Sequence, residues 1–200
     1  MMKAIYIYGA SGHGLVVADI ALNFGYDKII FIDDGDNSYL NFNQIKNNTA
    51  IPIAFGIGNN KIRKKLFRKV KRYGFRVATL IHSSANISTN TVIGRGSVVM
   101  AGVVINTNSR IGKGVILNSS SVIEHDNIIK DFVHISPQVA LAGDVTIKRG
   151  THIGIGSSVI QGITIGKNSV IGAGSVVIND IGNKYIAYGN PCRVIKGIYE

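Results

Sequence analysis

The sequence predicts a two-part chain of the α/β plus all-β class, a small Rossmann-like N-terminal domain followed by a parallel β-helix. Three observations carry this reading. Every sixth residue from Ile87 to Val177 is Ile, Val or Leu. The position four after each aliphatic is usually small or β-branched, as at Ser97, Val103, Ser109, Val115, Ser121, Thr151 and Ser157. Before the repeats, strand-like and helix-like patterns alternate around a glycine-rich loop.

Residues 3–8 read as a buried strand. Gly9-Ala10-Ser11-Gly12-His13-Gly14 follows at once. Residues 15–24 read as a helix on apolar Leu15, Val16, Ala18, Ile20, Ala21 and Phe24, closed by Gly25. Residues 28–32 form a second strand ending in Asp33-Asp34, and the Asn-rich stretch 35–49 reads as a loop. Residues 51–57 form a third strand ending in Gly58-Asn59-Asn60, residues 60–73 a second helix, and residues 75–81 a fourth strand. This is the order of a small doubly wound domain, whose ligands sit beyond the carboxyl ends of the strands. Gly9–Gly14, Asp33-Asp34 and Gly58-Asn59 then surround one crevice. The loop spacing is G-x-S-G-x-G rather than the dinucleotide pattern G-x-G-x-x-G. Free N–H groups at the helix start would still attract a phosphate; a tight turn without a ligand is the plainer alternative. The domain boundary is expected near residues 82–85, giving domains 1–81 and 82–200.

A fixed period of six is the sign of a β-helix, with three hexapeptides to a triangular coil of about 18 residues. The competing β-sandwich would repeat less regularly, every 8–12 residues or so. Gly follows the aliphatic at Gly94, Gly112, Gly154, Gly166 and Gly172, where a tight corner favours it. His125 falls two positions after the inward Ile123, so its side chain need not enter the core. His134 and His152 lie one coil apart and should stack.

The net charge is +11, which favours anionic ligands. No nucleic-acid-reading motif accompanies it, so no nucleic-acid partner is expected. Cys192 is the only cysteine, which rules out an internal disulfide and fits a reducing cytoplasm. No charged leader or long apolar stretch is present, so neither a signal peptide nor a membrane span is expected. The basic stretch 61–72, with Lys61, Arg63, Lys64, Lys65, Arg68, Lys69, Lys71 and Arg72, reads as a solvated helix face, with an anionic surface partner as the alternative.

The combination is more specific than its parts. A chain opening with Ile-Tyr-Gly-Ala-Ser-Gly-His-Gly, continuing to Asp33-Asp34, and carrying Glu124-His125-Asp126 on a β-helix resembles the hexapeptide-repeat nucleotide-sugar acetyltransferases of bacterial glycan synthesis. Residues 3–26, 58–65 and 117–134 carry the likeness in most detail, and within the family it points to the UDP-N-acetylbacillosamine N-acetyltransferases. Perosamine N-acetyltransferases and sialic acid O-acetyltransferases share the architecture.

The resemblance implies a left-handed β-helix, acetyl-CoA as co-substrate without a metal, and a UDP-linked 4-amino-4,6-dideoxy sugar as acceptor. It also implies a homotrimer with each site between two β-helices. It makes His125 the general base, with Asp126 in place of a family Glu that raises the base's pKa; Asp126 is one methylene shorter, and Glu124 is a possible substitute. Ser11, Gly12 and His13 match the loop that holds the nucleotide sugar. Asp33 and Asp34 match the uracil end, and Gly58 and Asn118 match further substrate contacts. His134, Gly143, Ile155 and Ala173 match acetyl-CoA positions, the last a Gly in the nearest family members. The tail Tyr188-Gly189-Asn190-Pro191-Cys192-Arg193 resembles the segment that closes such enzymes near the CoA nucleotide, with Cys192 in a packing role. Alternatives are a hydroxyl acceptor, a dTDP- or GDP-linked amino sugar, and a non-catalytic nucleotide-sugar binding module. A zinc centre on His125, His134 and His152 is a further alternative, though the close His pair of such centres is missing.

Overall fold

The computed structural model describes residues 2–198. The first domain is a three-stranded parallel sheet, β1 (Ala4–Tyr8), β2 (Lys28–Ile32) and β3 (Ile53–Phe55), in the order β2-β1-β3. Helix α1 (Gly12–Asn23) follows β1, and α3 (Asn60–Arg72) follows β3. The stretch expected as a loop holds one helical turn, α2 (Phe42–Ile45). Asn41 and Gln44 form a capping box there, and Phe42 and Ile45 are buried. Such local capping, with its two reciprocal hydrogen bonds, makes a short turn stable enough to cover one sheet face.

The expected fourth strand divides. Val77 bridges Ile53 at the sheet edge, but β4 (Leu80–Ile81) pairs with Val98–Val99 and so belongs to the β-helix. The chain therefore enters the solenoid without a break in hydrogen bonding.

The solenoid is a left-handed parallel β-helix of two-residue strands in three sheets. Each coil advances by 18 residues: Ile116 pairs with His134, and His134 with His152. The period of six thus lays every aliphatic on the one three repeats earlier, and Ile105, Ile123, Leu141 and Val159 are all buried in one column. Between them sit Ser97, Ser109, Ser121, Thr151, Ser157, Ser169 and Ser175, also fully buried. Most of these hydroxyls donate to a carbonyl of the next coil, as Ser97 Oγ does to Gly112 O at 2.9 Å and Ser157 Oγ to Gly172 O at 3.0 Å, so their burial leaves few polar atoms unsatisfied.

The glycines after the aliphatics have a different cause from the one expected. Their φ values are not positive; instead, a β-carbon at Gly94 would stand 2.5 Å from the Gly112 carbonyl carbon, and one at Gly154 2.6 Å from the Ala173 nitrogen. They are glycines because successive coils touch. The left-handed backbone of the corners falls two residues later in the turn, at Gly96, Gly102, Gly114 and Gly150, or at Asn108, Asp126, Asp144 and Asn168, residue types that tolerate φ near +60°.

The N-terminal sheet sits on the outer face of the eight-stranded sheet. Ile5, Ile7, Val17 and Ala21 pack with Leu80, Val98, Met100 and Ile116. On the other side Phe132 leaves the solenoid to meet Phe67 edge-on, ring centroids 5.4 Å apart. The chain ends in an antiparallel hairpin, Tyr185–Tyr188 with Arg193–Gly197, and Cys192 plugs the end of the solenoid core.

Candidate active site

The carboxyl ends of β1, β2 and β3 lie side by side around the expected crevice, and Ala10 N–H joins the loop after β1 to Asp33. The crevice glycines divide into two kinds. A β-carbon on Gly14 would lie 2.0 Å from the Gly9 carbonyl oxygen, and one on Gly56 2.5 Å from Gly14 Cα, so these glycines let helix and strands close together. Gly12 and Gly58 have nothing within 4 Å of that position and stay open to the crevice. Ser11 stands at the N-cap of α1 but makes no side-chain cap bond. The first-turn N–H groups are therefore not capped by that side chain.

The two acids are already engaged. Asp33 takes Ala10 N–H at 3.0 Å and Gly35 N–H at 2.9 Å, and these backbone bonds hold its carboxyl below the usual range. Asp34 accepts from Tyr8 Oη at 2.5 Å and from Phe42 N–H at 2.9 Å, and pairs with Lys69 at 2.9 Å. Both therefore anchor the crevice wall, with the remaining lone pairs available to a ligand.

Behind the crevice lies Arg63, 1% exposed. This overturns its reading as part of a solvated face. Its guanidinium donates to Gly114 O at 2.8 Å, to Ile57 O at 3.0 Å and Gly58 O at 2.9 Å, to Asn60 Oδ1 at 2.6 Å, and more distantly to Phe132 O and Val133 O. No carboxylate is among these partners. Asn60 Nδ2 adds bonds to Gly150 O and Thr151 O, both 3.1 Å. One arginine and one asparagine thus fasten the first domain to the backbone of three coils. Burial lowers the Arg63 pKa to about 9, still cationic near neutrality.

Three histidines surround that charge. The rings of His134 and His152 stack at 4.6 Å and 11°, one coil apart, and His13 lies 6.2 Å from His134. Asn118 Oδ1 accepts from Ser119 N–H, which fixes the amide so that Nδ2 donates to His134 Nε2 at 3.2 Å. The proton of His134 then sits on Nδ1, beside the Gly58 backbone. His152 Nε2 meets Ser136 Oγ at 2.8 Å. Burial, then the neighbouring His152 and Arg63, lowers His134 to about 3; burial and Arg63 lower His13 and His152. All three are neutral near pH 7. Among the described residues no group of three or more His, Cys, Asp or Glu is placed to hold a metal ion.

From here a cleft of about 1230 Å³ opens between α3 and the solenoid, lined by Lys61, Lys64, Lys65, Arg68, Lys69 and Arg72 on one side and by His134, His152 and Arg149 on the other. Apart from Lys69, which pairs with Asp34, these α3 cations form no salt bridge among the described residues, so the cleft carries much of the excess positive charge.

His125 and Asp126 lie elsewhere. They form the corner between the six-stranded and five-stranded sheets. In a triangular coil that corner is opposite the eight-stranded face, where the crevice is. His125 Nδ1 meets Asp126 Oδ2 at 2.8 Å, both side chains being about half exposed. Asp126 reaches the ring because its own backbone turns left-handed there, at φ +60°. Asn108 Nδ2 supports it at 3.2 Å, and the two hydrogen bonds hold the Asp126 carboxyl below its usual range. Glu124, the alternative partner, instead accepts from Asn106 Nδ2 at 2.7 Å. Gly143 lies on the next coil against the His125 ring. Ile155 and Ala173 are exposed at the corner between the eight- and six-stranded sheets, linked by Gly174 N–H to Ile155 O at 2.8 Å. One chain therefore brings together Ser11, Gly12, His13, Asp33, Asp34, Gly58, Asn118 and His134, but leaves His125, Asp126 and Gly143 across the prism.

Two residues here escaped the sequence reading. Arg63 gave no signal, being one cation among many. Asn127 did: it is the one asparagine at a position held elsewhere by Ser, Thr or an aliphatic, and it is fully buried.

Comparison with known proteins agrees with this architecture. Residues 4–70 match the model of the PglD N-terminal domain, and residues 144–179 that of the bacterial transferase hexapeptide (six repeats). A histidine-to-alanine variant of GDP-perosamine N-acetyl transferase from Caulobacter crescentus, in complex with CoA and GDP-perosamine, is 30% identical over 98% of each chain, with a TM-score of 0.93. The acetyltransferase domain of PglB from Neisseria gonorrhoeae, in complex with acetyl coenzyme A, is 34% identical over 98% of this chain and 100% of that one, with a TM-score of 0.91. WeeI from Acinetobacter baumannii is 26% identical, with a TM-score of 0.90. With identity at this level across nearly the whole length, the chain belongs to the hexapeptide-repeat nucleotide-sugar N-acetyltransferase family and is an acyltransferase.

Proposed function

We propose that this enzyme transfers acetyl from acetyl-CoA to the 4-amino group of a UDP-linked 4-amino-4,6-dideoxy sugar, with His125 as general base. The observation that carries the base is the 2.8 Å contact of His125 Nδ1 with Asp126. It leaves Nε2 as the proton-accepting nitrogen and stabilises the imidazolium once formed. The neutral amine attacks the thioester carbonyl, Nε2 takes the amine proton, and the intermediate collapses to the amide as the C–S bond breaks. The imidazolium returns its proton to the departing thiolate. Gly143 N–H, which has no acceptor among the described residues, is the candidate donor to the developing oxyanion.

The nucleotide sugar takes the crevice of Ser11, Gly12, His13, Asp33, Asp34, Gly58 and Asn118. We assign acetyl-CoA to His134, Gly143, Ile155 and Ala173, with His134 and Gly143 supplied by different copies of the chain. Because His125 and the crevice lie on opposite sides of one prism, a working site needs a second copy, and we assign the homotrimer of the family resemblance. No helix among the described residues is long and apolar enough to cross a membrane, and we place the reaction in the cytoplasm. A GDP-linked amino sugar is the second reading, favoured by the likeness to the GDP-perosamine complex.

The test is release of free CoA from acetyl-CoA with UDP-, dTDP- and GDP-linked 4-amino-4,6-dideoxy sugars, beside the His125→Ala variant. Turnover with the UDP sugar, reduced about 100-fold or more in the variant, is expected. Turnover confined to the GDP sugar would replace the nucleotide, and a fully active variant would remove the base.

A further inference from the structure

We infer that Asn127 is a positioning residue that fixes the corner peptide from which His125 projects; its bearing on the rate rests on His125 being the base. The inference comes from comparing Asn127 with the residues that occupy its place on other coils. There, a serine or threonine hydroxyl typically makes one bond to a carbonyl of the next coil and accepts one N–H from it. Ser97 does so with Gly112 O at 2.9 Å and Val115 N–H at 3.1 Å. Asn127 makes the same two links, to Ala142 O at 3.0 Å and from Val145 N–H at 3.2 Å. A hydroxyl has one proton to give: Ser175 spends it on Gly172 O three residues back, at 2.7 Å, and Ser97 on the next coil, whereas the amide, with two, does both. Its Nδ2 also lies 2.6 Å from Glu124 O and 3.4 Å from His125 O, in its own corner. No other side chain at this repeat position reaches the carbonyl two residues back, among the described residues.

The second amide proton goes to Glu124 O, with His125 O as a weaker, shared acceptor; these two carbonyls flank His125. With the His125 carbonyl also taking Asp144 N–H at 3.0 Å, the peptides on both sides of the imidazole are pinned from the core. The ring itself is half exposed and has one hydrogen bond, to Asp126. Its direction is therefore set by the backbone beneath it. A displacement of about 1 Å at a reacting group can cost on the order of 100-fold in rate, so a base on an exposed corner gains from an anchored one.

The test is Asn127→Ser, which installs the residue that other coils already accept. The matched control is Ser97→Ala, which removes a coil-to-coil bond far from the site. Rates are read with whichever nucleotide sugar turns over, and the His125 ring nitrogens by 15N NMR. For Asn127→Ser we expect kcat to fall about tenfold, KM for acetyl-CoA to hold, and the Nδ1 signal to shift toward an unbonded nitrogen. For Ser97→Ala we expect a lower Tm with an unchanged rate and spectrum. His125→Gln run alongside separates the two claims. If it is inactive while Asn127→Ser keeps both rate and spectrum, the positioning role is overturned and the base stands. If it stays active, the base assignment falls, and the ring spectrum of Asn127→Ser alone decides whether Asn127 holds the corner.

Discussion

Gly143 lies directly against the imidazole of His125: a β-carbon at residue 143 would stand 2.5 Å from the ring's Cε1 and 2.6 Å from Nε2. The φ of Gly143 is not in the positive region, so an alanine meets no backbone strain there. The conflict is with the ring alone, and an exposed ring can swing away. Gly143→Ala should leave Tm nearly unchanged and lower kcat about tenfold or more, since the base no longer points where it did. Thermal unfolding and CoA release on the same preparation check both halves.

Asp126 offers a cleaner substitution than most acids. It sits at φ +60°, a conformation asparagine accepts readily. Asp126→Asn therefore removes the charge while keeping the turn. We expect a fold like the parent's and a rate lower by about tenfold to 100-fold, because the imidazolium loses its counter-charge. A kcat within twofold of the parent would show that the carboxylate charge is dispensable.

Arg63 should dominate the seam between the domains. Arg63→Ala leaves a cavity and strips the carbonyls of Gly114, Ile57 and Gly58 of their donor. A loss of about 3 kcal/mol or more is expected from buried acceptors left unpaired. Arg63→Lys should recover part of it, one ammonium replacing a fork of donors. Denaturant unfolding measures the difference.

The buried histidines give the fold an acid-sensitive point. His134 has its pKa lowered to about 3 by burial, His152 and Arg63, whereas an unfolded histidine titrates near 6.5. Below about pH 6.5 the unfolded chain binds a proton that the native chain refuses, so stability falls as pH drops toward 3. The slope for His134 approaches about 1.4 kcal/mol per pH unit. Above the unfolded value both states are neutral and the dependence vanishes. His134→Asn should flatten the stability profile between about pH 6.5 and pH 4, measured by urea unfolding at stepped pH.

What could be read from the residues followed from strict geometry. A coil of three equal sides imposes its period on the sequence, so the solenoid, the inward column through Ile123 and the His134–His152 stack were all legible. The crevice of Gly12, Asp33 and Gly58 was legible for a similar reason, since strand ends and glycines mark where a sheet turns. Burial that depends on packing between domains was not. Arg63 resembles its neighbours on α3 until Phe132 and the seam close over it. The glycines after each aliphatic showed their position but not their cause, because coil contact and turn strain favour the same residue. The partner of His125 turned on whether Asp126 was left-handed, a backbone choice that one side-chain length does not reveal.

The seam has one further consequence, for exchange of parts. Arg63 and Asn60 grip main-chain oxygens of the solenoid, and every solenoid of this pitch presents such oxygens at the same intervals. The polar half of the junction is therefore blind to the side chains beneath it. Only the apolar half, Phe132 with Leu80, Val98, Met100 and Ile116, has to be matched. A first domain of this type could be grafted onto a foreign β-helix by carrying over those five side chains.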